Sequence, residues 1–318
     1  MRIIRSLEFQ IGSKEEKLPY GTPDFPYLAS RAELDFYREP FVPWHWHNAI
    51  ELFYMESGEL KYYTPHKSFV FPAGSAGVVN ANVLHKTQIQ THTEDNIQLL
   101  HIFDPQLLAG VHGSLIEKKY ISPIVNAPQI ELIALSPREP AQATIIEMIR
   151  AAFSLPENEF GYELKIREAL SRIWLELFPI CAPLLKEKPQ AADVATDKVK
   201  AMMVYIHEHY GEKISISELA SAAFLSEREC YRVFQNHLHM TPVDYIRSYR
   251  IQIACQLLAE SQIPVTEVGT ACGMGNSSYF GKVFRESTGY TPRQYRQIWQ
   301  DKNIIWRNKD IMFISQAL

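Results

Sequence analysis

The sequence predicts a multidomain α+β protein: an N-terminal β-barrel with following helices, then a C-terminal all-α domain. Three observations carry this. Up to about residue 130, short β-branched and aromatic runs alternate with Pro- and Gly-containing turns. From Pro140 the apolar residues recur at helical spacing. Beyond residue 197, one helical pattern occurs twice.

Strands are expected at Ile50–Met55, Leu60–Tyr63, Ser68–Phe71, Ala76–Asn80 and Ile97–Phe103. Ser57-Gly58-Glu59, Pro72-Ala73-Gly74 and Asn80-Ala81-Asn82 supply turns between them. Many short strands at such spacing build a barrel or sandwich, here over about 25–130. Two helices follow over about 138–180. One presents Ala143, Ile146, Ile149 and Phe153; the other presents Leu164, Ile166, Leu170, Ile173, Trp174 and Leu177 and ends near Pro179. Their apolar faces either cover the barrel or meet a second copy, and the segments around Ile145–Phe153 and Leu164–Leu177 are the candidate dimer surface. The polar stretch Lys186-Glu187-Lys188-Pro189-Gln190-Ala191-Ala192-Asp193 reads as a linker. The expected domains are therefore 1–185 and 197–300, joined by 186–196, with a tail at 301–318.

Composition bounds the class. Of the 318 residues, 46% are hydrophobic and 21% charged, which suits a globular chain. No stretch approaches the roughly 18 unbroken apolar residues of a membrane span, and no signal peptide is visible. The four cysteines form no C-x-x-C pair and read as reduced, buried and cytoplasmic. The net charge of -4 hides an asymmetry. From Lys198 onward there are 14 Lys+Arg and 11 Asp+Glu, a net of +3; the rest holds 18 and 25, a net of -7. The basic excess is small, so motifs must carry any nucleic-acid reading.

They do so in the C-terminal third. Ser215 with Glu218, and Ser226 with Glu229, each match a capping box at the start of a helix. A short helix, a tight turn and a second helix bearing Arg228, Tyr231 and Arg232 is the grammar of a helix-turn-helix unit. The pattern returns at a 50-residue offset. Ile263 to Gly273 parallels Ile214 to Ala223, Asn276 to Arg285 parallels Ser226 to Gln235, and Met240-Thr241-Pro242-Val243-Asp244-Tyr245 parallels Tyr290-Thr291-Pro292-Arg293-Gln294-Tyr295. One long helix over Asp244–Ala259 joins the copies, its apolar face including Tyr245, Ile246, Tyr249, Ile253, Leu257 and Leu258.

This duplication resembles the DNA-binding domain of the AraC/XylS family of bacterial transcription regulators. Ile263-Pro264-Val265-Thr266-Glu267-Val268-Gly269, Ser278-Tyr279-Phe280-Gly281-Lys282-Val283-Phe284 and Gly289-Tyr290-Thr291-Pro292-Arg293-Gln294-Tyr295-Arg296 are similar to the family signature. Gly269-Thr270, Met274 and Lys282 depart from its commonest residues. The resemblance implies two recognition helices roughly 34 Å apart, entering successive major grooves of double-stranded DNA. Arg228, Tyr231 and Arg232 would read from the first, Asn276, Ser277, Ser278 and Lys282 from the second; an Arg fork matches guanine O6 and N7. Standing alone, Arg228 and Arg232 would read as solvated helix charges. Homodimerisation and contact with RNA polymerase belong to the same expectation.

The N-terminal part carries His45-Trp46-His47-Asn48-Ala49-Ile50-Glu51, with Gly58 and His85 beyond. On one strand the odd positions His45, His47, Glu51, Phe53 and Met55 would share a face, opposite Trp44, Trp46, Ile50, Leu52 and Tyr54. The spacing H-x-H-x3-E-x6-G is similar to the first motif of the cupin superfamily. Pro72-Ala73-Gly74 matches part of the second, and the histidine expected after it is absent. Three readings stay open for His45, His47, Glu51 and His85: a divalent-metal site, a metal-free pocket for a small polar effector, or barrel structure. The resemblance favours an effector such as a sugar or related metabolite, with no cofactor required and a divalent metal as the other occupant. Trp46, Tyr62 and Phe69 would be available to stack on a sugar, and Phe9–Tyr20 could fold over the pocket. The chain is read as a non-enzyme, the alternative being a metal-dependent cupin enzyme fused to a DNA-binding domain.

Overall fold

The computed structural model describes residues 2–4, 16, 18, 20, 24–36, 41–90, 95–186 and 194–298. The centre of the expected linker, the 301–318 tail and most of Phe9–Tyr20 lie outside these. The chain divides into two units, Met1–Lys198 and Val199–Leu318.

Among the described residues, unit 1 holds ten strands in two sheets. They are β1 (Arg2–Ile4), β2 (Tyr27–Glu33), β3 (Phe41–His45), β4 (Ile50–Ser57), β5 (Glu59–Tyr63), β6 (Ser68–Pro72), β7 (Ala76–Val79), β8 (His85–Ile89), β9 (Ile97–Phe103) and β10 (Leu132–Leu135). One sheet has the order β1-β2-β9-β4-β7-β10, the other β3-β8-β5-β6. All pairings are antiparallel except β1 with β2. The barrel expectation thus takes the form of two facing sheets. Phe53 and Met55 of β4, Leu100 and Ile102 of β9, and Leu60, Tyr62 and Phe71 of the second sheet are buried together between them.

The alternate residues of the larger sheet point the other way, as a period of two requires. Ile50, Leu52, Val78 and Phe103 pack on helices α1 (Gln106–Ala109), α2 (Ser122–Val125), α3 (Pro140–Ala152) and α4 (Tyr162–Leu184). This layer decides the use of the helical faces. Ile145, Ile146, Ile149, Ile166, Leu170, Ile173, Trp174 and Leu177 are buried inside the unit, so the faces expected at a dimer contact serve the core instead. Leu164 and Leu175, three turns apart on α4, remain exposed. Helix α4 also passes its expected end at Pro179, through Pro183. A proline forfeits one hydrogen bond; the helix nevertheless continues, with Leu177 and Cys181 seated in the core on either side of Pro179.

Unit 2 is helical: α5 (Val194–His209), α6 (Ile216–Ala222), α7 (Glu227–Leu238), α8 (Pro242–Glu260), α9 (Val265–Ala271) and α10 (Ser277–Thr288). Helix α5 begins inside the stretch read as linker. Both expected capping boxes, Ser215/Glu218 and Ser226/Glu229, are formed. Thr241 caps α8 with Pro242 in its first turn, and Thr291 repeats that bond to Gln294 N. Helix α8 has two buried faces rather than one. Its Tyr245 meets Phe234 of the first copy, with ring centroids 5.6 Å apart, while Ile251, Ala254, Cys255 and Leu258 join Phe280 and Phe284 of the second.

The 50-residue offset needs correction. Helices α6 and α9 are 49 residues apart, and α7 and α10 are 50 apart. The extra residue is Gly275, in the second turn at φ +64°. The copies also differ where the backbone is left-handed. Phe224 (φ 55°) and His239 (φ 56°) occupy positions that Gly273 and Gly289 fill in the second copy. A side chain there costs about 1–2 kcal/mol, so the first copy carries strain that the second avoids. A volume exchange explains Gly269. A Cβ there would lie 3.0 Å from the Phe280 ring, whereas the first copy has Ala220 and the smaller Cys230 at the matching places.

Candidate functional site

Two sites emerge, one in each unit. In unit 2 the burial pattern of α7 separates core from surface. Cys230, Val233, Phe234, His237 and Leu238 point inward, whereas Arg228, Tyr231 and Arg232 are exposed, with Tyr231 at 41%. The Ser226 cap holds the first turn in place. Glu229 Oε1 lies 3.9 Å from an Arg232 guanidinium nitrogen, a solvated pair worth little and free to yield the guanidinium to another partner.

On α10, Phe280, Val283 and Phe284 are buried, and Ser277, Ser278 and Lys282 are exposed. Lys282 Nζ is 3.9 Å from Glu286. Asn276 stands at the N-cap, its Oδ1 accepting from Ser278 N at 2.8 Å and Tyr279 N at 3.4 Å. That oxygen is therefore committed to the helix, which leaves Nδ2 as its remaining side-chain donor. Sequence reasoning passed over two exposed aromatics, Phe224 (95%) in the first turn and Tyr279 (53%) beside Ser278. The available signal was an aromatic at a turn position where the second copy carries glycine.

In unit 1, His45, His47, Glu51 and His85 do converge, though along a different route from the one expected. They do not share one strand face. His45 ends β3 and pairs with His85 of β8 in the smaller sheet. Glu51 lies on β4 of the larger sheet, between Val79 and Ile102. His47 sits where the chain crosses from one sheet to the other. The residues meet because the sheets face each other. Between β4 and β9, Glu51, Phe53 and Met55 do share the inner face.

All four side chains are buried. The His45 and His85 rings are 4.1 Å apart, and those of His47 and His85 5.2 Å. Each Nδ1 lies against a carbonyl: His45 on Pro43 (2.8 Å), His47 on Ala49 (2.9 Å) and His85 on Val83 (2.8 Å). A carbonyl only accepts, so each Nδ1 carries the hydrogen and each Nε2 is turned inward. Glu51 Oε2 is 3.4 Å from His47 Nε2 and 3.8 Å from His85 Nε2, and its Oε1 accepts from Tyr62 Oη at 2.8 Å. Gln98 donates in turn to that hydroxyl. Among the described residues, His47 Nε2 and His85 Nε2 have no hydrogen-bond partner. Leaving a buried polar atom unsatisfied costs about 1–3 kcal/mol, so the fold maintains these atoms at a penalty.

Glu16 is the residue that motif reading missed. Its backbone N–H donates to Trp46 O at 2.8 Å, and its buried carboxylate reaches 4.0 Å from His45 Nε2. No spacing rule links it to the motif, since it arrives from a separate segment. Burial, partly offset by His47, pushes the Glu16 pKa up to about 7. Burial lowers His85 well below the ordinary histidine value, reinforced by His45. At His47 burial opposes the charge, but the Glu51 and Glu16 carboxylates outweigh it and raise its pKa. Burial likewise opposes ionisation of Glu51, and His47 and His85 outweigh it and hold its pKa down. The carboxylates thus favour charge on His47, while burial disfavours it on His85. The chamber encloses about 40 Å³, with Glu16, His45, Glu51, Tyr62, His85 and Gln98 in its wall. The rings proposed for sugar stacking are engaged elsewhere: Tyr62 lies flat on Phe53 at 4.4 Å and edge-on to Phe71 at 5.4 Å, and Trp46 is buried.

Comparison with known proteins matches both units. The AraC-like ligand binding domain matches residues 30–173, and a helix-turn-helix domain matches residues 219–298. The chain belongs to the AraC/XylS family. It is a DNA-binding transcription regulator with a ligand-binding domain. Its relatives include the HTH-type transcriptional regulator YdeC of Bacillus subtilis, 24% identical over 89% of this chain and 96% of that protein. The HTH-type transcriptional activator RhaS of Salmonella schwarzengrund is 33% identical over 31% of this chain and 36% of its own length, so that likeness spans about a third of each protein. Among solved structures, fatty-acid-bound ToxT of Vibrio cholerae aligns over 85% of this chain and 95% of its own, at 12% identity and a TM-score of 0.44. Among the described residues no helix is long and apolar enough to cross a membrane.

Proposed function

We propose that this AraC/XylS-family regulator binds DNA through Arg228, Tyr231, Arg232, Asn276, Ser277, Ser278 and Lys282, under control of a ligand held between its two sheets. The supporting observation is the buried convergence of His45, His47, Glu51 and His85 in a chain that also carries two helix-turn-helix units. Such control requires the ligand to bind two conformational states unequally. A sugar or related metabolite would have to open a chamber of about 40 Å³, well under the roughly 300–1,000 Å³ usual for small-molecule sites. A homodimer through the exposed outer row of α4, Leu164 and Leu175, and RNA polymerase are the protein partners of this reading. RhaS is named an activator, and activation is the proposed sense here.

The test uses the full chain with duplexes selected from a random library, followed by fluorescence anisotropy. Arg232→Ala is expected to cost about 1–3 kcal/mol and relax selectivity at one base pair. An unchanged affinity and footprint would remove Arg232 from the interface. Glu51→Ala is expected to keep DNA binding and lose its response to a panel of sugars and divalent ions. A retained response would place control elsewhere, and turnover of a substrate by the metal-loaded protein would favour the enzyme reading.

A further inference from the structure

The two helix-turn-helix copies touch at a point that neither the repeat nor its motifs require. The turn between α5 and α6, at Tyr210 and Gly211, lies against the turn between α9 and α10, at Ala271 and Gly273. A Cβ on Gly273 would collide with the Tyr210 carbonyl oxygen and stand 3.0 Å from an Arg250 guanidinium nitrogen and from the Gly211 carbonyl carbon. A Cβ on Gly211 would stand 3.1 Å from Ala271 O. Arg250, midway along α8, reaches the same place. Its Nε donates to Tyr210 O at 2.8 Å, and a second guanidinium nitrogen donates to Glu212 O. Bonds from a charged donor are roughly twice as strong as neutral ones. Burial opposes the charge on Arg250 and no carboxylate offsets it, so the two carbonyls are what hold the guanidinium there.

The α5–α6 turn moves with the first copy. It runs directly into α6, and α5 is tied to the first-copy end of α8, where His207 Nε2 lies 3.0 Å from Tyr245 Oη and Tyr245 meets Phe234. The second copy instead follows α8 through the non-helical residues 261–264. Ile251, Ala254, Cys255 and Leu258 of α8 hold it by apolar burial, which has no preferred direction. The Arg250 bonds and the close approach of Gly211 and Gly273 are directional. The first copy has no counterpart, since Phe224, at the position of Gly273, is exposed.

We infer that Arg250, with Gly211 and Gly273, is a positioning clamp that locks the second recognition helix in rotation against the first and so sets the subsite spacing the regulator accepts. The clamp stands on its own geometry, and the spacing rule rests on the proposed use of both recognition helices. One base pair shifts a subsite by about 3.4 Å and turns it by about 35°. Rigidly held readers cannot follow that step, whereas α10 released from the clamp can.

The experiment takes the full chain and a duplex selected from a random library, with one base pair inserted or removed between the two protected subsites, and reads affinity by fluorescence anisotropy. The wild type is expected to lose about 10–100-fold on either change, the scale of one mismatched base pair. Arg250→Ala is expected to bind the selected duplex about 10-fold more weakly and to lose less than about 3-fold on either change. Arg250→Lys, which keeps a donor for one carbonyl, is expected to fall between. Lost stability alone weakens every spacing alike, so a wild-type spacing profile in Arg250→Ala overturns the control of spacing. A second measurement needs no DNA. Spin labels at Gln235→Cys of α7 and Ser287→Cys of α10, both exposed, report the distance between the recognition helices by double electron–electron resonance, the four native cysteines being buried. Arg250→Ala is expected to broaden that distribution with an unchanged far-UV circular dichroism spectrum; a distribution as narrow as the wild type's overturns the clamp. Wild-type tolerance of both spacing changes overturns the use of two readers, and the label distances then decide the clamp by themselves.

Discussion

Replacing Gly77 by alanine would place a methyl carbon 2.7 Å from Phe53 Cε1 and 2.9 Å from Phe71 Cε1. Carbon atoms rest at about 3.5–4.0 Å, so Phe53 would have to retreat by roughly an ångström. It has no room to do so. Phe53 is fully buried and lies parallel to Tyr62 at 4.4 Å, and Tyr62 is itself edge-on to Phe71. Overpacking of this kind costs about 1–3 kcal/mol. For a unit of this size each kcal/mol lowers the melting temperature by roughly 2–4 °C. The strain also has a direction. Tyr62 holds Glu51 through its hydroxyl, so a displaced Phe53 tilts the ring that positions the pocket carboxylate. Gly77→Ala is therefore expected to destabilise unit 1 and weaken ligand binding at Glu51, while DNA affinity without ligand is unchanged. Tryptophan fluorescence of a chain with Trp299→Phe and Trp306→Phe suits the unfolding measurement, because the remaining Trp44, Trp46 and Trp174 all lie in unit 1. A melting temperature within a degree of wild type, with ligand affinity intact, would refute the packing chain from Gly77 to Glu51.

The pH dependence of unit 1 follows from His101, whose pKa burial lowers to about 4 while Nδ1 meets Tyr27 Oη and Nε2 meets the Ile149 carbonyl. The neutral form is favoured in the fold, so this stabilisation is present above pH 6.5 and lost as the pH falls towards 4. It amounts to about 3 kcal/mol, and His101→Gln should flatten the stability profile across that window in urea titrations. Ser226→Ala removes the cap of α7 and is expected to cost about 1 kcal/mol in unit 2; an unaltered urea midpoint would show the cap to be dispensable. His239→Gly relieves a left-handed side chain and is expected to stabilise unit 2 by about 0.5–1 kcal/mol, the relief exceeding the added chain entropy; a loss of stability by calorimetry would contradict it.

Local patterns were legible because they depend on near neighbours. The strands at 50–57, 59–63, 68–72, 76–79 and 97–103 followed from alternation and turn residues, and the two capping boxes from residues three apart. The duplicated helical unit needed only self-comparison. Strands β1, β2, β3, β8 and β10 were missed, as their runs lacked clear turn signals and are held by pairing with distant partners. The 49-to-50 shift between the copies stayed hidden until Gly275 was seen as an insertion in a turn. His45, His47, Glu51 and His85 could be named from spacing, but placing His45, His47 and Glu51 on one strand was wrong. Periodicity describes a single strand and is silent about a chain that crosses between sheets. Near-neighbour patterns were enough for five of the strands, the main helices, the caps, the repeat and the four motif donors. Only the tertiary structure decided that α3 and α4 spend their apolar faces on the larger sheet, and that Glu16 joins the histidines, because both depend on contacts between segments remote in the chain.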